Sequence, residues 1–415
     1  MDIEIGSRQS LKQWAAGDFA HVPFALYSDP DIFDLEMERI FGGASWAYVG
    51  LAAEIPEPGD FRTTAIGNRS VIICRDRKGV VNGFVNRCSH KGVKLCREKS
   101  GNQKMFTCPY HRWNYDLQGN LRGVPFIRGV KKQGGMPKDF DMDDHGLPRL
   151  QIAERNGVIF ASLAEEALPD LDDYLGESNR HYFDRVFDGR DLHVLGYSRQ
   201  LIPANWKLMF ENIKDPYHAS LLHVFLVTFG LFRADQKARV KMDESGKHGL
   251  LISQKGEQKK SEHTADMQNL RDDLRLSDPR LLDPVREFND EATVVMQTVW
   301  PNLIVQQQSN TLALRQLLPR DPGTFELHWT FFGYADDDEE MTTRRLRQAN
   351  LMSSAGLVSG DDSEVLKLTQ DGVTVNRDGA TVMLLGGTGT DDEDHMVTES
   401  AIRAFYKHYR EVMQL

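Results

Sequence analysis

The chain is short of cysteine, of excess positive charge and of long apolar runs, and each shortage excludes a class of protein. Four cysteines in 415 residues cannot build the disulfide framework of a small secreted domain, and they suit a reducing compartment. A net charge of −11 leaves no electrostatic footprint for nucleic acid or an anionic membrane, so neither is expected as a partner. No stretch approaches the roughly 20 apolar residues that a spanning helix needs. The opening Met1-Asp2-Ile3-Glu4 is acidic and lacks the apolar centre of a signal peptide. The expectation is a cytoplasmic protein. At 415 residues it exceeds what one hydrophobic core usually serves, which predicts two domains.

Two of the four cysteines belong to a pattern. Cys88 and His90 form Cys-X-His, and after seventeen residues Cys108 and His111 form Cys-X-X-His. Each half supplies one thiolate and one imidazole. Structural Cys₂His₂ zinc sites usually pair like with like, Cys-X₂₋₄-Cys followed by His-X₃₋₅-His. The alternating order favours a [2Fe-2S] cluster of Rieske type, whose irons are held by two cysteines on one side and two histidines on the other. Gly92 and Pro109 beside the ligands put both halves on short loops. Cys74, at the end of the apolar run Val71-Ile72-Ile73, and Cys96 read as plain thiols.

A second constellation runs from Asn205 to His223: Asn-Trp-Lys-Leu-Met-Phe-Glu-Asn-Ile-Lys-Asp-Pro-Tyr-His, then Ala-Ser-Leu-Leu-His. His218 and His223 are five residues apart, which leaves them about 140° apart on an ideal helix. To share one ion they need a helix that is bent, bulged or ended between them.

Together these motifs resemble those of the large (α) subunits of Rieske non-haem iron aromatic ring-hydroxylating oxygenases, over nearly the whole chain. Cys-X-His-[Arg/Lys]-Gly, Cys-Pro-Tyr-His-X-Trp and Glu-Asn-X-X-Asp-X-Tyr-His-X₄-His are all matched. Arg112 departs from the pattern, standing where many members carry Gly or Ala. The resemblance implies that Cys88, His90, Cys108 and His111 hold the cluster, and that His218 and His223 ligate a mononuclear Fe(II). It selects Asp362, eight residues before Gln370, as the third ligand, in preference to the acidic run Asp391 to Asp394. Two histidines and one carboxylate leave metal positions open for O₂. Asn212 and Asp215 are the candidate catalytic positions, Asp215 as a bridge carrying electrons between His218 and His111 of a neighbouring subunit. The implied partners are a ferredoxin or reductase fed by NAD(P)H, with a small β subunit in an α₃β₃ assembly or else an α₃ trimer.

The resemblance implies an α+β fold, with a small antiparallel Rieske domain over residues 45–165 and a helix-grip catalytic domain over 166–415. Residues 1–44 form a helical lead that packs on the catalytic domain. Turn residues and periodicity place strands at Val294 to Val299, Leu303 to Gln307 and Leu327 to Gly333. Helices are expected over 341–351 and 399–413, a hairpin turn at Asn156-Gly157, and a lead helix from Asp29 to Phe41. The polar stretch 255–285 reads as a surface loop or as a cover over the site.

Closer similarity is to the group acting on benzoate-type acids, which includes salicylate hydroxylases, anthranilate dioxygenases and terephthalate dioxygenases. Arg315 lies in a mostly apolar strand, Thr311 to Leu318, and a buried guanidinium needs a carboxylate partner, from the substrate or from a nearby acid. Met396 is expected as an apolar wall where terephthalate-using relatives carry a basic residue. That favours a salicylate- or anthranilate-like monocarboxylate over terephthalate. An electron-transfer protein with the Rieske centre alone is the competing class, and the chain beyond Ala164 is superfluous to it.

Overall fold

The computed structural model describes residues 14–255, 274–281, 284–354 and 356–415. The chain divides into two compact units, one of Phe41–Leu171 and one that joins the N-terminal segment up to Ile40 with Asp172–Leu415. The candidate cover, 255–285, lies mostly outside the described residues.

The unit Phe41–Leu171 is made of short antiparallel strands. One sheet orders Val81–Val85, Arg69–Arg75, Asp60–Ile66 and Ser100–Asn102, and a second orders Ala47–Leu51, Val158–Ser162 and Gln151–Arg155. A small third sheet joins Phe106–Thr107, Asn114–Tyr115 and Leu121–Gly123. Asn156 and Gly157 have φ of 48° and 82°, as a two-residue hairpin turn whose twist matches its strands requires. Phe61, Phe84, Phe106 and Trp113 enclose Cys88 and Cys108 in this unit's core. Cys74 and Cys96 are also buried there as free thiols.

The other unit carries a seven-stranded antiparallel sheet in the order Leu192–Ile202, Thr324–Tyr334, Thr311–Asp321, Leu303–Gln308, Val294–Val299, Gly249–Ser253 and Ala238–Met242. Paired residues share a face, and the register aligns Gly249 with Thr298, Thr298 with Ile304, and Ile304 with Arg315. The helices Trp206–Lys214, Leu357–Val375 and Ser400–Met413 belong to this unit, so the architecture is an antiparallel sheet with helices, an α+β fold.

The lead helix, Pro30–Arg39, starts as local chemistry dictates. The Asp29 carboxylate accepts from the N–H groups of Asp31 and Ile32, and Pro30 occupies the first turn. One face of it presents Glu36, which is fully buried. The Glu36 carboxylate accepts from Lys207 Nζ at 2.6 Å, Trp206 Nε1 at 2.8 Å and Tyr409 Oη at 2.6 Å. Lys207 is equally buried, so each charge is the other's compensation. Removing one partner strands the other in an apolar interior, whereas removing both does not. Glu36→Leu is therefore expected to destabilise the protein by about 3–5 kcal/mol. Glu36→Leu combined with Lys207→Met should recover most of that loss in urea unfolding. A double variant as unstable as the single one would contradict this account.

Candidate active site and metal centres

In the Phe41–Leu171 unit the two ligand-bearing loops repeat one construction. Cys88 N–H donates to Val93 O at 2.9 Å, and Gly92 N–H to Cys88 O at 2.9 Å. In the second loop Cys108 N–H donates to Trp113 O at 2.8 Å, and Arg112 N–H to Cys108 O at 3.1 Å. The fifth residue of each loop is left-handed, Gly92 at φ 72° and Arg112 at φ 60°. Although the sequence alternates ligand types, the fold sorts them. The Cys88 and Cys108 side chains are both buried, and Cys108 is near enough to act on the Cys88 thiol. The His90 and His111 rings lie 4.7 Å apart between centroids, and His90 stacks on Trp113 at 4.7 Å. One end is thus sulfur and buried while the other is imidazole and more exposed, which fits a cluster held by two cysteines on one iron and two histidines on the other. Tyr115 Oη lies 3.3 Å from Cys88 Sγ and accepts from Ser89 N–H at 3.1 Å. Burial foremost pushes the Cys88 thiol up, against the bonds from Tyr115 and the His90 backbone, and bound iron would offset this by taking the thiolate as its ligand.

In the other unit the helix Trp206–Lys214 begins at Asn205, whose side chain accepts from Lys207 N–H, and ends at Asp215. A four-residue helix, Ala219–Leu222, follows His218, and His223 with φ −87° and ψ 76° separates it from Val224–Thr228. That break resolves the five-residue spacing: the two imidazole centroids come within 5.5 Å. Asp362, in the helix Leu357–Val375, completes the group. Its Oδ1 lies 3.5 Å from His218 Nε2 and 3.2 Å from His223 Nε2. One donor atom from each of the three lies within 4.8 Å of the others, the arrangement of a metal site.

Further partners fix how these side chains face. The main-chain carbonyl of Asp215 is bonded to His218 Nδ1, and the Asp215 carboxylate accepts from His218 N–H at 3.2 Å. The carboxylate lies 3.6 Å from Nδ1, so the carbonyl and not the carboxylate makes the direct bond to the ring. His223 Nδ1 is held by Asp361 Oδ2 at 3.2 Å. With both Nδ1 atoms donating outward, the Nε2 lone pairs are left for an ion. Asn212 Nδ2 donates to Asp362 Oδ1 at 3.1 Å. Burial opposes a charged His218, yet the bonds to Asp215 and Asp362 outweigh it and raise its ionisation to about 10. Asp362 is held well below the usual carboxylate range, its own burial being outweighed by the two histidines. The trio favours a positive charge at its centre, which is what a divalent cation supplies. Asp361 is not among the residues that the sequence motifs single out.

The His218, His223 and Asp362 trio and Asn212 line a cavity of about 50 Å³, whose other walls include Leu226, Phe232, Leu251, Met296, Gln308 and Arg315. Arg315 is 3 % exposed. Its Nε donates to Gln306 Oε1 at 2.7 Å, its Nη2 bonds the same oxygen, and its guanidinium lies 4.1 Å over the Trp329 ring. Burial lowers its ionisation to about 10, with Asp362 acting against that through space. No carboxylate among the described residues pairs with it. Met396 corrects an expectation: it does not line the cavity but is fully buried in the core with Leu226, Val358 and Ala401. An unbranched apolar side chain in that position fills the core and leaves the cavity wall to others.

A sheet domain with two buried thiols facing two imidazoles, and an α+β domain with two histidines and a carboxylate, define a two-centre iron oxygenase. Models of the Rieske [2Fe-2S] domain and of the ring-hydroxylating alpha subunit catalytic domain match residues 45–133 and 171–415. The chain belongs to the large subunits of the Rieske aromatic ring-hydroxylating oxygenases. It is 49 % identical to the large oxygenase component of salicylate 5-hydroxylase from a Ralstonia species, over 97 % of this chain and 96 % of that one. It is 41 % identical to the anthranilate 1,2-dioxygenase large subunit of Burkholderia cepacia, over 95 % and 94 %. A terephthalate 1,2-dioxygenase alpha subunit of a Comamonas species is also 41 % identical, over 98 % of each chain. Among solved structures, naphthalene 1,2-dioxygenase of a Rhodococcus species aligns with a TM-score of 0.79 at 27 % identity, over 95 % of this chain and 94 % of that one. The cofactors of the family are a [2Fe-2S] cluster and non-haem iron, with reducing equivalents drawn from NAD(P)H through a partner.

Among the bulky residues that this chain holds at positive φ, Arg112 is the one beside a cluster ligand. Such a residue costs on the order of 1 kcal/mol or more relative to Gly. Arg112→Gly should raise the guanidinium midpoint at which the cluster's visible absorbance is lost. A midpoint that stays or falls would mean that the Arg112 side chain contributes more than its backbone costs.

Proposed function

We propose that this oxygenase component hydroxylates a small aromatic carboxylic acid of the salicylate or anthranilate kind. The observation that carries the proposal is Arg315, a buried guanidinium on the cavity wall bonded to a neutral amide and lying over an indole, with no acid among the described residues in hydrogen-bond contact and Asp362 acting on it only through space. A substrate carboxylate supplies the missing charge through a charge-assisted, bidentate bond. Gln306 and Trp329 restrain Arg315, so the bound carboxylate fixes the ring's orientation. Leu226, Phe232, Leu251, Val294 and Met296 enclose the ring and exclude water. The sequence argument against terephthalate rested on Met396, which is not at the wall. Among the described residues Arg315 is the one guanidinium lining the cavity, which supports recognition of an aromatic acid through a carboxylate held there.

In this reading Cys88, His90, Cys108 and His111 hold the cluster, and His218, His223 and Asp362 hold the iron. When bound, the cluster supplies single electrons and the iron supplies the activation of O₂. Asn212 steadies the Asp362 carboxylate, Asp361 sets the His223 ring, and Asp215 sets the His218 ring and links it to the electron path. We further place the chain in the cytoplasm, in an α₃β₃ or α₃ assembly served by a ferredoxin or reductase. No helix of the described residues is long and apolar enough to cross a membrane.

Two outcomes are expected. Asp362→Ala loses mononuclear iron by elemental analysis while keeping the cluster's visible and electron paramagnetic resonance signals; unchanged iron content would remove Asp362 from the ligand set. Arg315→Gln weakens binding of salicylate or anthranilate by roughly 10- to 100-fold, the strength of a hydrogen bond to a charged group. Mass spectrometry of products from salicylate, anthranilate, benzoate and terephthalate, with reductase, NADH and O₂, identifies the preferred acid. Turnover of terephthalate alone would overturn the salicylate or anthranilate assignment.

A further inference from the structure

The helix Trp206–Lys214 buries two lysines and treats them differently. Lys207 is paired with Glu36 at 2.6 Å. Lys214, 4 % exposed, has no hydrogen-bond partner for its Nζ among the described residues. Asp243 acts on it only through space, and the oxygens of Asp243 already accept from Ser245 Oγ at 2.5 Å and His248 N–H at 2.6 Å. Burial depresses the Lys214 ammonium to about 8. A buried ammonium without an acceptor costs several kcal/mol in general, so an acceptor from outside the chain is the arrangement that relieves it.

The space around Nζ is built. Lys214 lines a side chamber with Gly249, Thr298, Leu251, Met296 and Pro216, and the last three also wall the main cavity. A Cβ at Gly249 would lie 2.5 Å from Lys214 Nζ and 3.1 Å from Thr298 Oγ1, so the glycine leaves the room that the ammonium occupies. The chamber has space for about one water-sized group. Its place relative to Arg315 follows from the sheet register. Gly249, Thr298, Ile304 and Arg315 form one row on one face. Two to three strand spacings, about 10–14 Å, therefore separate the backbone under Lys214 Nζ from that of Arg315. An aromatic ring with a hydrogen-bonded group at each end fits that span.

We propose that the Lys214 chamber is a second polar subsite of the substrate cavity. It takes one oxygen acceptor, a hydroxyl or a carboxylate oxygen, borne by the aromatic acid on the side remote from its Arg315-bound carboxylate. The proposal rests on the reading of Arg315 given above. It deepens that reading by adding, beyond the group ortho to the carboxylate in salicylate or anthranilate, a position across the ring at which a further oxygen substituent is recognised.

Calorimetric binding of benzoate, 4-hydroxybenzoate and terephthalate to the holoenzyme tests it without turnover. The wild-type protein is expected to bind at least one of the substituted acids about 10-fold more tightly than benzoate, the scale of a charge-assisted bond. Which of the two is favoured tells hydroxyl from carboxylate. Lys214→Met should bring the preference to near one while benzoate affinity stays within about twofold. Gly249→Ala provides a second variant, because its methyl group must displace Nζ, the end of a flexible chain, and should erode the same preference. If Lys214→Met weakens all three acids equally, or if the wild-type protein shows no preference, the subsite does not exist. Arg315→Gln separates the two readings: if it leaves benzoate binding unaltered, the Arg315 assignment fails, whatever Lys214 does.

Discussion

A charge taken out of water must find a partner, and much of this molecule can be understood by asking where each buried charge finds one. Glu36 and Lys207 find each other and tie the lead helix to the helix that starts the site motif. Asp362 faces two imidazoles, one of which is more readily protonated than a free histidine. Arg315 and Lys214 have no carboxylate partner among the described residues. The first pair is satisfied within the chain and is structural. The last two face cavities, and acids act on them only through space, Asp362 on Arg315 and Asp243 on Lys214. Burial alone does not separate these cases, since all are nearly inaccessible; the identity of the partner does.

The same constraint explains why the metal site is built on an interrupted helix. A continuous helix would satisfy every backbone group but would point His218 and His223 apart. Breaking it at His223 brings the rings together and leaves backbone and side-chain acceptors near their Nδ1 atoms. The Asp215 carbonyl, at the end of the preceding helix, takes His218. Asp361 takes His223 from a different helix. Orientation of the two donor atoms therefore depends on two elements far apart in sequence, and on Asn212 steadying the carboxylate between them.

How much of this was legible beforehand follows from how local each feature is. Asn156-Gly157 encodes its own turn, Asp29-Pro30 its own helix start, and the paired Cys and His motifs their own loops, so the sequence reading and the structure agree there. Strand ends moved by a few residues, Thr311 to Leu318 becoming Thr311–Asp321, because pairing with Thr324–Tyr334 extends the ladder past the apolar run. The sequence motifs do not single out Asp361, since its role requires knowing where His223 lies. Met396 is expected at a wall only because terephthalate-using relatives carry a basic residue there. Its side chain instead packs with Leu226 and Val358, a choice made by tertiary packing that no local pattern expresses. Lys214 passed unnoticed inside a motif whose other members carry the metal chemistry, because a missing partner is visible only in three dimensions.

Selectivity on the proposed function follows from what the cavity would lose with the wrong ligand. A hydrocarbon of similar size would gain the contacts of Leu226, Phe232, Leu251 and Met296 but would leave the Arg315 guanidinium desolvated and unpaired. Apolar contacts discriminate weakly between rings of similar shape, whereas a buried polar group deprived of its partner imposes a large penalty. Anchoring Arg315 by a neutral amide and an indole accentuates the effect. A carboxylate bonded directly to the guanidinium would compete with an incoming acid for it, whereas Asp362 acts only through space. Gln306 fixes the geometry without cancelling the charge, so orientation and selection for an anionic ring come from the same side chain.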